Sequence, residues 1–139
     1  MFCVGCELNS TVRRKDDWVR TIANVRAAYD GPLIYADDQV ESDPDAIQWW
    51  DSLDYIGMDA YPTLTPAVHP TVADFAAGWS AWLSKLRALS RLWGKPAILT
   101  EVGYRSIEGG AQTPWDWQRP GPVDLEVQAN AYEAALRAV

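Results

Sequence analysis

Apolar and polar positions along the chain alternate between short apolar runs and stretches of helical spacing. Met1–Gly5 is an apolar run too short for a helix and reads as a buried parallel strand. From Asp16 to Tyr29, apolar residues recur at Trp18, Val19, Ile22, Val25, Ala28 and Tyr29, the spacing of an amphipathic helix. Asp30-Gly31-Pro32 stops it. Leu33–Ala36 is a second strand running into Asp37-Asp38. Asp45 to Asp51, entered through Asp43-Pro44, is predicted as a second helix because a capping residue precedes a proline at the first turn. Leu53–Met58 is a third strand, followed by Asp59-Ala60-Tyr61-Pro62 and a loop with Pro66 and Pro70. Val72 to Trp93 reads as a long helix with Phe75, Trp79, Trp82, Leu83, Leu86, Leu89 and Trp93 near one face, and Gly94 sits where it should stop. Ala97–Thr100 is the fourth strand, running into Glu101. A loop rich in Gly, Pro and Trp covers Arg105 to Pro122, and Val123 to Val139 is the last helix.

The order is therefore β-α-β-α-β-α-β-α, which implies right-handed crossovers and a parallel sheet in one α/β domain. Each strand is apolar throughout, so cover is expected on both faces.

Composition narrows the partners. The chain has 139 residues and a net charge of −7 from 12 basic and 19 acidic side chains. Nucleic acid and anionic membranes reward Lys/Arg clusters, so neither is expected as a partner. No run of 18 apolar residues exists to span a membrane. The start, M-F-C-V-G-C-E-L, lacks the basic region of a signal peptide. Eight Trp and six Tyr are many for this length. Most should pack in the core, and the rest would suit the C–H faces of sugars. Cys3 and Cys6 form a C-x-x-C pair, but no second pair exists and His69 is the sole histidine, so a four-ligand zinc site cannot be completed. The pair also closes an apolar strand, where a redox dithiol would open a helix. No metal or cofactor is expected.

The residues just beyond each strand carry the chemistry: Glu7, then Asp37 and Asp38, then Asp59 and Tyr61, then Glu101 and Tyr104. In parallel α/β folds, active sites form at the C-terminal ends of strands. Asp37 and Asp38 read equally well as capping or loop hydrogen-bonding groups, and Asp59 is evenly balanced. Glu7 and Glu101 differ because neither opens a helix at once. A switch domain of the flavodoxin type, built on Asp37 and Asp38, fails for want of a phosphate-binding Gly loop or a Lys after the last strand.

Three segments, G-C-E-L-N-S-T, W-W-D-S-L-D-Y-I-G-M-D-A-Y-P and K-P-A-I-L-T-E-V-G-Y-R-S, resemble the retaining TIM-barrel glycosidases of the cellulase and mannanase clan. The chain is most similar to glycoside hydrolase family 113, the β-mannanase-like group, over nearly its whole length. The resemblance implies a partial (β/α)₈ barrel of about four β-α units, corresponding to strands 4 to 7, in a single incomplete domain over residues 1–139. It implies Glu7 as acid/base and Glu101 as nucleophile, with Asp59, Tyr61, Tyr104, Trp115 and Trp117 lining sugar subsites; Asp37 is carried with this substrate-binding set. Many clan members have Asn before the acid/base, where it binds a sugar hydroxyl; Cys6 holds that place here. The implied reaction is hydrolysis of a β-linked polysaccharide such as mannan, with the two carboxyls about 5–5.5 Å apart and the Glu7 pKa raised by the neighbouring negative charge. Tyr61 or Tyr104 would donate a hydrogen bond to Glu101.

A whole barrel needs about 250 residues. Four units alone leave two open sheet edges, so the expectation is weak or absent turnover and self-association through those edges. The rival reading is a non-catalytic sugar-binding or self-assembling half barrel in which the aromatics matter and the carboxylates do not.

Overall fold

In the computed structural model, which describes residues 1–38, 43 and 45–139, β1 spans Phe2–Cys6, α1 Lys15–Ala28, β2 Leu33–Asp37 and β3 Tyr55–Ala60, with a 3₁₀ turn at Trp50–Ser52 before β3. α2 comes next at Val72–Trp93, then β4 at Ala97–Val102 and α3 at Leu125–Ala138. The strands lie in the order β1-β2-β3-β4. β1 pairs with β2 and β2 with β3 in parallel, with a register irregularity between Cys3 and Cys6. The Ile56 N–H donates to the Pro96 carbonyl at 3.0 Å at the start of β4. Among the described residues no helix is long and apolar enough to cross a membrane.

The chain divides into two compact units: Met1–Asp59 with Lys85–Thr100, and Ala60–Ser84 with Glu101–Val139. In the first, β2 is buried along its whole length and β3 at all but Tyr55. β1 and β4, at the edges of the sheet, keep exposed positions. Cover on both faces is thus a property of the two central strands only. Behind the sheet sits an aromatic cluster. Trp18 of α1 stacks on Trp49 with ring centres 4.7 Å apart, and the Tyr35 ring meets both edge-on at 5.2 and 5.1 Å. Such offset and edge contacts add about 0.5–1.5 kcal/mol each to the burial of the rings themselves.

That cluster explains the missing helix. Asp45 to Asp51 does not form an α-helix; only the turn at Trp50–Ser52 is helical. Trp49 and Trp50 are both fully buried, and consecutive residues on a surface helix cannot both point inward by a full ring. Trp49 takes φ −140° instead, and its indole N–H donates to the Val12 carbonyl at 2.7 Å. Of the cap read at Asp43-Pro44, Pro44 lies outside the described residues.

α2 has the residue range its apolar spacing predicts, with Phe75, Trp79, Trp82, Leu83, Leu86 and Leu89 buried and Trp93 half-buried. Its start is a reciprocal capping box: the Thr71 N–H donates to Asp74 Oδ2 at 2.9 Å, and the Asp74 N–H to Thr71 Oγ1 at 3.3 Å. Its end is Gly94, at φ 62°, the left-handed position that glycine fills at helix ends. In the second unit, Gly78 lets the loop press on α2: a Cβ there would lie 2.3 Å from the Leu64 carbonyl oxygen. α3 begins at its N-cap Asp124, whose Oδ1 accepts from the N–H groups of Glu126 and Val127 at 3.1 and 3.0 Å. It buries Val127, Ala131, Ala134 and Ala135.

The two glycines should differ in what they tolerate. A Cβ at Gly94 meets nothing within 4 Å, so Gly94→Ala should cost only the left-handed strain, about 1–2 kcal/mol, whereas Gly78→Ala meets backbone and should cost clearly more. Urea midpoints with matched slopes check this, and equal losses would refute it.

Acid should act through Asp54. Its carboxylate accepts from the Leu33 N–H at 2.7 Å and from the Arg26 guanidinium, and these hold its pKa below the ordinary carboxylate value. A depressed folded pKa contributes stability that is present above the unfolded value, about 3.9, and is lost as pH falls through the folded one. Asp54→Asn should therefore flatten the loss of melting temperature on acidification below about pH 5. The remainder of that slope should persist, because Asp17, Asp74 and Asp124 are shifted in the same direction.

Candidate active site

β1 ends at Cys6, and Glu7 comes next with φ +49°, a backbone conformation that costs a residue with a Cβ roughly 1–2 kcal/mol. Hydrogen bonds fix it on both sides. The Glu7 N–H donates to the Ala36 carbonyl of β2 at 3.0 Å. The next amide, that of Leu8, donates to the Tyr35 hydroxyl at 2.8 Å. The Leu8 carbonyl then accepts from the Thr11 amide at 2.8 Å and from its hydroxyl at 2.9 Å. Glu7 itself is exposed. Burial pushes the Tyr35 phenol well above its ordinary pKa, so this anchor stays a neutral hydroxyl at all working pH.

Asp59 lies within β3 and is buried, with 3% exposure. Its Oδ2 accepts from the Cys6 thiol at 3.2 Å, and its Oδ1 from the Thr100 hydroxyl at 2.6 Å. The sequence named no hydrogen-bond partner for Asp59. Thr100 had one visible signal, a polar residue closing the apolar run Ala97-Ile98-Leu99. Asp37, the last residue of β2, is also buried, whereas the exposed Asp38 accepts from the Asn9 side chain at 3.3 Å, a loop hydrogen bond. Cys3 and Cys6 are not joined in a disulfide, and Cys3 donates to the Gly5 carbonyl.

Glu7 belongs to the first unit and Glu101 to the second. Glu101 lies inside β4, which runs two residues past the end that the apolar run suggests. Its Oε2 accepts from the Tyr61 hydroxyl at 2.6 Å, in an exposed setting. Tyr61 is thus the tyrosine that reaches Glu101. Tyr104 sits elsewhere: it is 3% exposed, its ring edges against Phe75 and Tyr132, and its hydroxyl has no hydrogen-bond partner among the described residues. Burial pushes its pKa up as well.

The loop after β4 is braced. Gln112 donates to the Pro66 carbonyl at 2.8 Å, its own carbonyl accepts from the Thr63 hydroxyl at 2.9 Å, and Arg119 donates to Gln112 Oε1 at 2.9 Å. Arg105 binds the Arg119 carbonyl, and Ile107 bridges to Val123. On this frame Asp116 Oδ1 accepts from the Gln118 and Arg119 amides, both at 3.1 Å. Trp115 and Trp117 flank it and stand 59% and 74% exposed. The other indoles are buried, save the half-buried Trp93. His69 Nδ1 lies 3.1 Å from Asp124 Oδ2, beside the cap of α3.

The sequence model of Glycoside Hydrolase Family 113 matches residues 1–139. The chain belongs to glycoside hydrolase family 113. Among solved structures, the family 113 β-mannanase AaManA from Alicyclobacillus acidocaldarius, in complex with ManMIm, is 33% identical with a TM-score of 0.81; the match covers 100% of this chain and 40% of that one. A family 113 β-1,4-mannanase is 31% identical, TM-score 0.81, over 99% of this chain and 40% of its own. A family 17 β-1,3-glucanosyltransferase from Rhizomucor miehei, 15% identical with a TM-score of 0.58 over 93% of this chain and 44% of its own, shares the fold. No curated protein sequence matches. This family 113 chain is mannanase-like, and its parallel sheet and helices form a partial TIM barrel spanning about 40% of the length of the family structures it matches.

Within the family 113 chain, the backbone that carries Glu7 depends on Tyr35. Tyr35→Phe should remove one hydrogen bond, lower stability by about 1 kcal/mol, and speed hydrogen exchange at the Leu8 amide at least several-fold. Unchanged Leu8 exchange would show that the Tyr35 hydroxyl does not hold this turn.

Proposed function

We propose that this chain carries both catalytic carboxylates of a retaining glycosidase acting on a β-linked mannan or manno-oligosaccharide. Glu101 is the nucleophile and Glu7 the acid/base. The four β-α units correspond to strands 4 to 7 of the barrel, a single incomplete domain over residues 1–139. The observation that carries the reading is the Tyr61 hydroxyl 2.6 Å from Glu101 Oε2, in a chain of family 113 whose solved members include β-1,4-mannanases. A phenol donating to a carboxylate stabilises the anion and fixes its direction, both of which a nucleophile needs.

The chemistry runs in two steps. Glu101 attacks the anomeric carbon while Glu7 gives its proton to the departing glycosidic oxygen, leaving a glycosyl ester on Glu101. Glu7, now a carboxylate, takes a proton from water, and the water oxygen displaces Glu101 to give a product of retained configuration. The left-handed backbone at Glu7 supports the assignment, because such strain gathers at functional positions. Trp115 and Trp117 are suited to stack on sugar rings, and Tyr61 with Asp37 completes the proposed substrate-binding set, while the buried Asp59 and Tyr104 support it from within. Steady-state turnover by this chain alone should be weak, with self-association through the β1 and β4 edges.

A second reading, a non-catalytic sugar-binding or self-assembling half barrel, is favoured by the exposed edge strands and the exposed Trp115 and Trp117. Labelling separates the two without turnover. Incubation with a 2-deoxy-2-fluoro-β-mannobiosyl fluoride, followed by peptide mass spectrometry, should place a glycosyl adduct on Glu101. Glu101→Gln should abolish the adduct and spare binding of mannohexaose, while Tyr61→Phe should slow labelling about 10- to 100-fold. Binding without any adduct would leave the sugar-binding reading standing and defeat the enzymatic one.

A further inference from the structure

Cys6 directly precedes Glu7, and Thr100 directly precedes Glu101. These two residues, from the opposite edge strands β1 and β4, are the donors to the two oxygens of one buried carboxylate on β3. We infer that Asp59 is a strut, whose carboxylate ties the residue before each candidate catalytic glutamate and so sets the backbone position of both. The inference rests on the reading of Glu7 and Glu101 as the reacting pair. With 3% exposure and both oxygens already accepting, Asp59 is a positioning residue and not a sugar ligand.

The physical case has two parts. A buried carboxylate is strongly destabilising unless donors meet it, so each donor is held in place by the cost of leaving that charge unsatisfied. β1 and β4 do not pair with each other in the sheet, so a side-chain tie at Cys6, the last residue of β1, and at Thr100, inside β4, couples two strands that the ladder does not. Misplacing a reacting group by about 1 Å costs on the order of a hundredfold in rate. A strut at the residue before each glutamate acts on that displacement.

The test uses the full chain and compares isosteric with donor-keeping variants. Thr100→Val keeps the shape and removes the donor; Thr100→Ser keeps the donor. With the fluorinated mannobiosyl fluoride as probe, Thr100→Val should lower the first-order labelling constant of Glu101 about tenfold or more with its half-saturating concentration unchanged within about twofold, and Thr100→Ser should recover most of the loss. Cys6→Ala against Cys6→Ser should show the same ordering with a smaller amplitude, since a thiol is a weak donor. If Thr100→Val and Thr100→Ser behave alike, the strut is refuted.

A second measurement needs no activity. In a Cys3→Ser background, iodoacetamide alkylation of Cys6 at pH 7.5 should quicken about tenfold in Asp59→Asn, because a neutral acceptor no longer opposes the thiolate. The limiting rate at high pH, which reports access, should not change. An unchanged rate at pH 7.5 would overturn the strut whatever Glu101 does. A quickened rate in a chain whose Glu101 takes no label would uphold the tie and overturn the enzymatic reading instead.

Discussion

A carboxylate placed in a protein interior must find donors or give up its charge, and in this chain that demand falls on Asp59. It sits on a central strand that is otherwise apolar, Y-I-G-M-D-A, where an aliphatic residue would be the ordinary occupant. Its donors come from strands that never pair with each other in the sheet. A side-chain bond thus does what the ladder cannot: it links the two edges across the central strands. Much of the first unit is arranged around that link. β2 and β3 supply the buried floor, and the Trp18, Tyr35, Trp49 and Trp50 cluster fills the space behind it.

The second unit meets a different problem, which is to hold large apolar rings in water. An exposed indole on a mobile loop loses entropy whenever it binds. Here the loop is braced through Gln112, Arg105, Arg119 and Thr63 before it presents Trp115 and Trp117. The Asp116 side chain closes a local turn between the two rings. The conformational cost is therefore met in folding and not at binding, which suits a surface for flat ligands.

Periodicity made much of this legible. α2 runs over the residues its apolar spacing predicts, and all of that face is buried save the half-buried Trp93. The four strands and the family emerge from local pattern and short motifs. Where the sequence misled, the cause was long-range. Trp49-Trp50 looked like part of a helix, because nothing local says that Trp18 and Val12 are waiting for one of the rings. The strands seemed to need cover on both faces, but apolar runs do not say which of them lie at an edge. At the site, the chemistry-bearing positions were visible as residues, whereas their partners were not: Cys6 and Asp59 are 53 residues apart, Thr100 and Asp59 are 41 apart. Tyr104 and Tyr61 were indistinguishable on sequence as donors to Glu101, and only packing separates them, one into a core beside Phe75 and one onto the carboxylate.

The left-handed residue at Glu7 brings these themes together. Strain of about 1–2 kcal/mol persists only if the neighbouring bonds outweigh it, each contributing about 1 kcal/mol. Four do so in a short stretch, from Ala36, from Tyr35 and twice from Thr11. One of them ends on a hydroxyl whose ring is locked in the aromatic cluster, so the turn inherits its position from the core and not from the loop beyond it. A relaxed backbone at residue 7 would need none of this. The arrangement makes sense if what matters is where the side chain of residue 7 points, and that side chain is a glutamate. Core packing, the tyrosine anchor and the strained turn form one chain of cause, and it ends at a carboxylate held in the open.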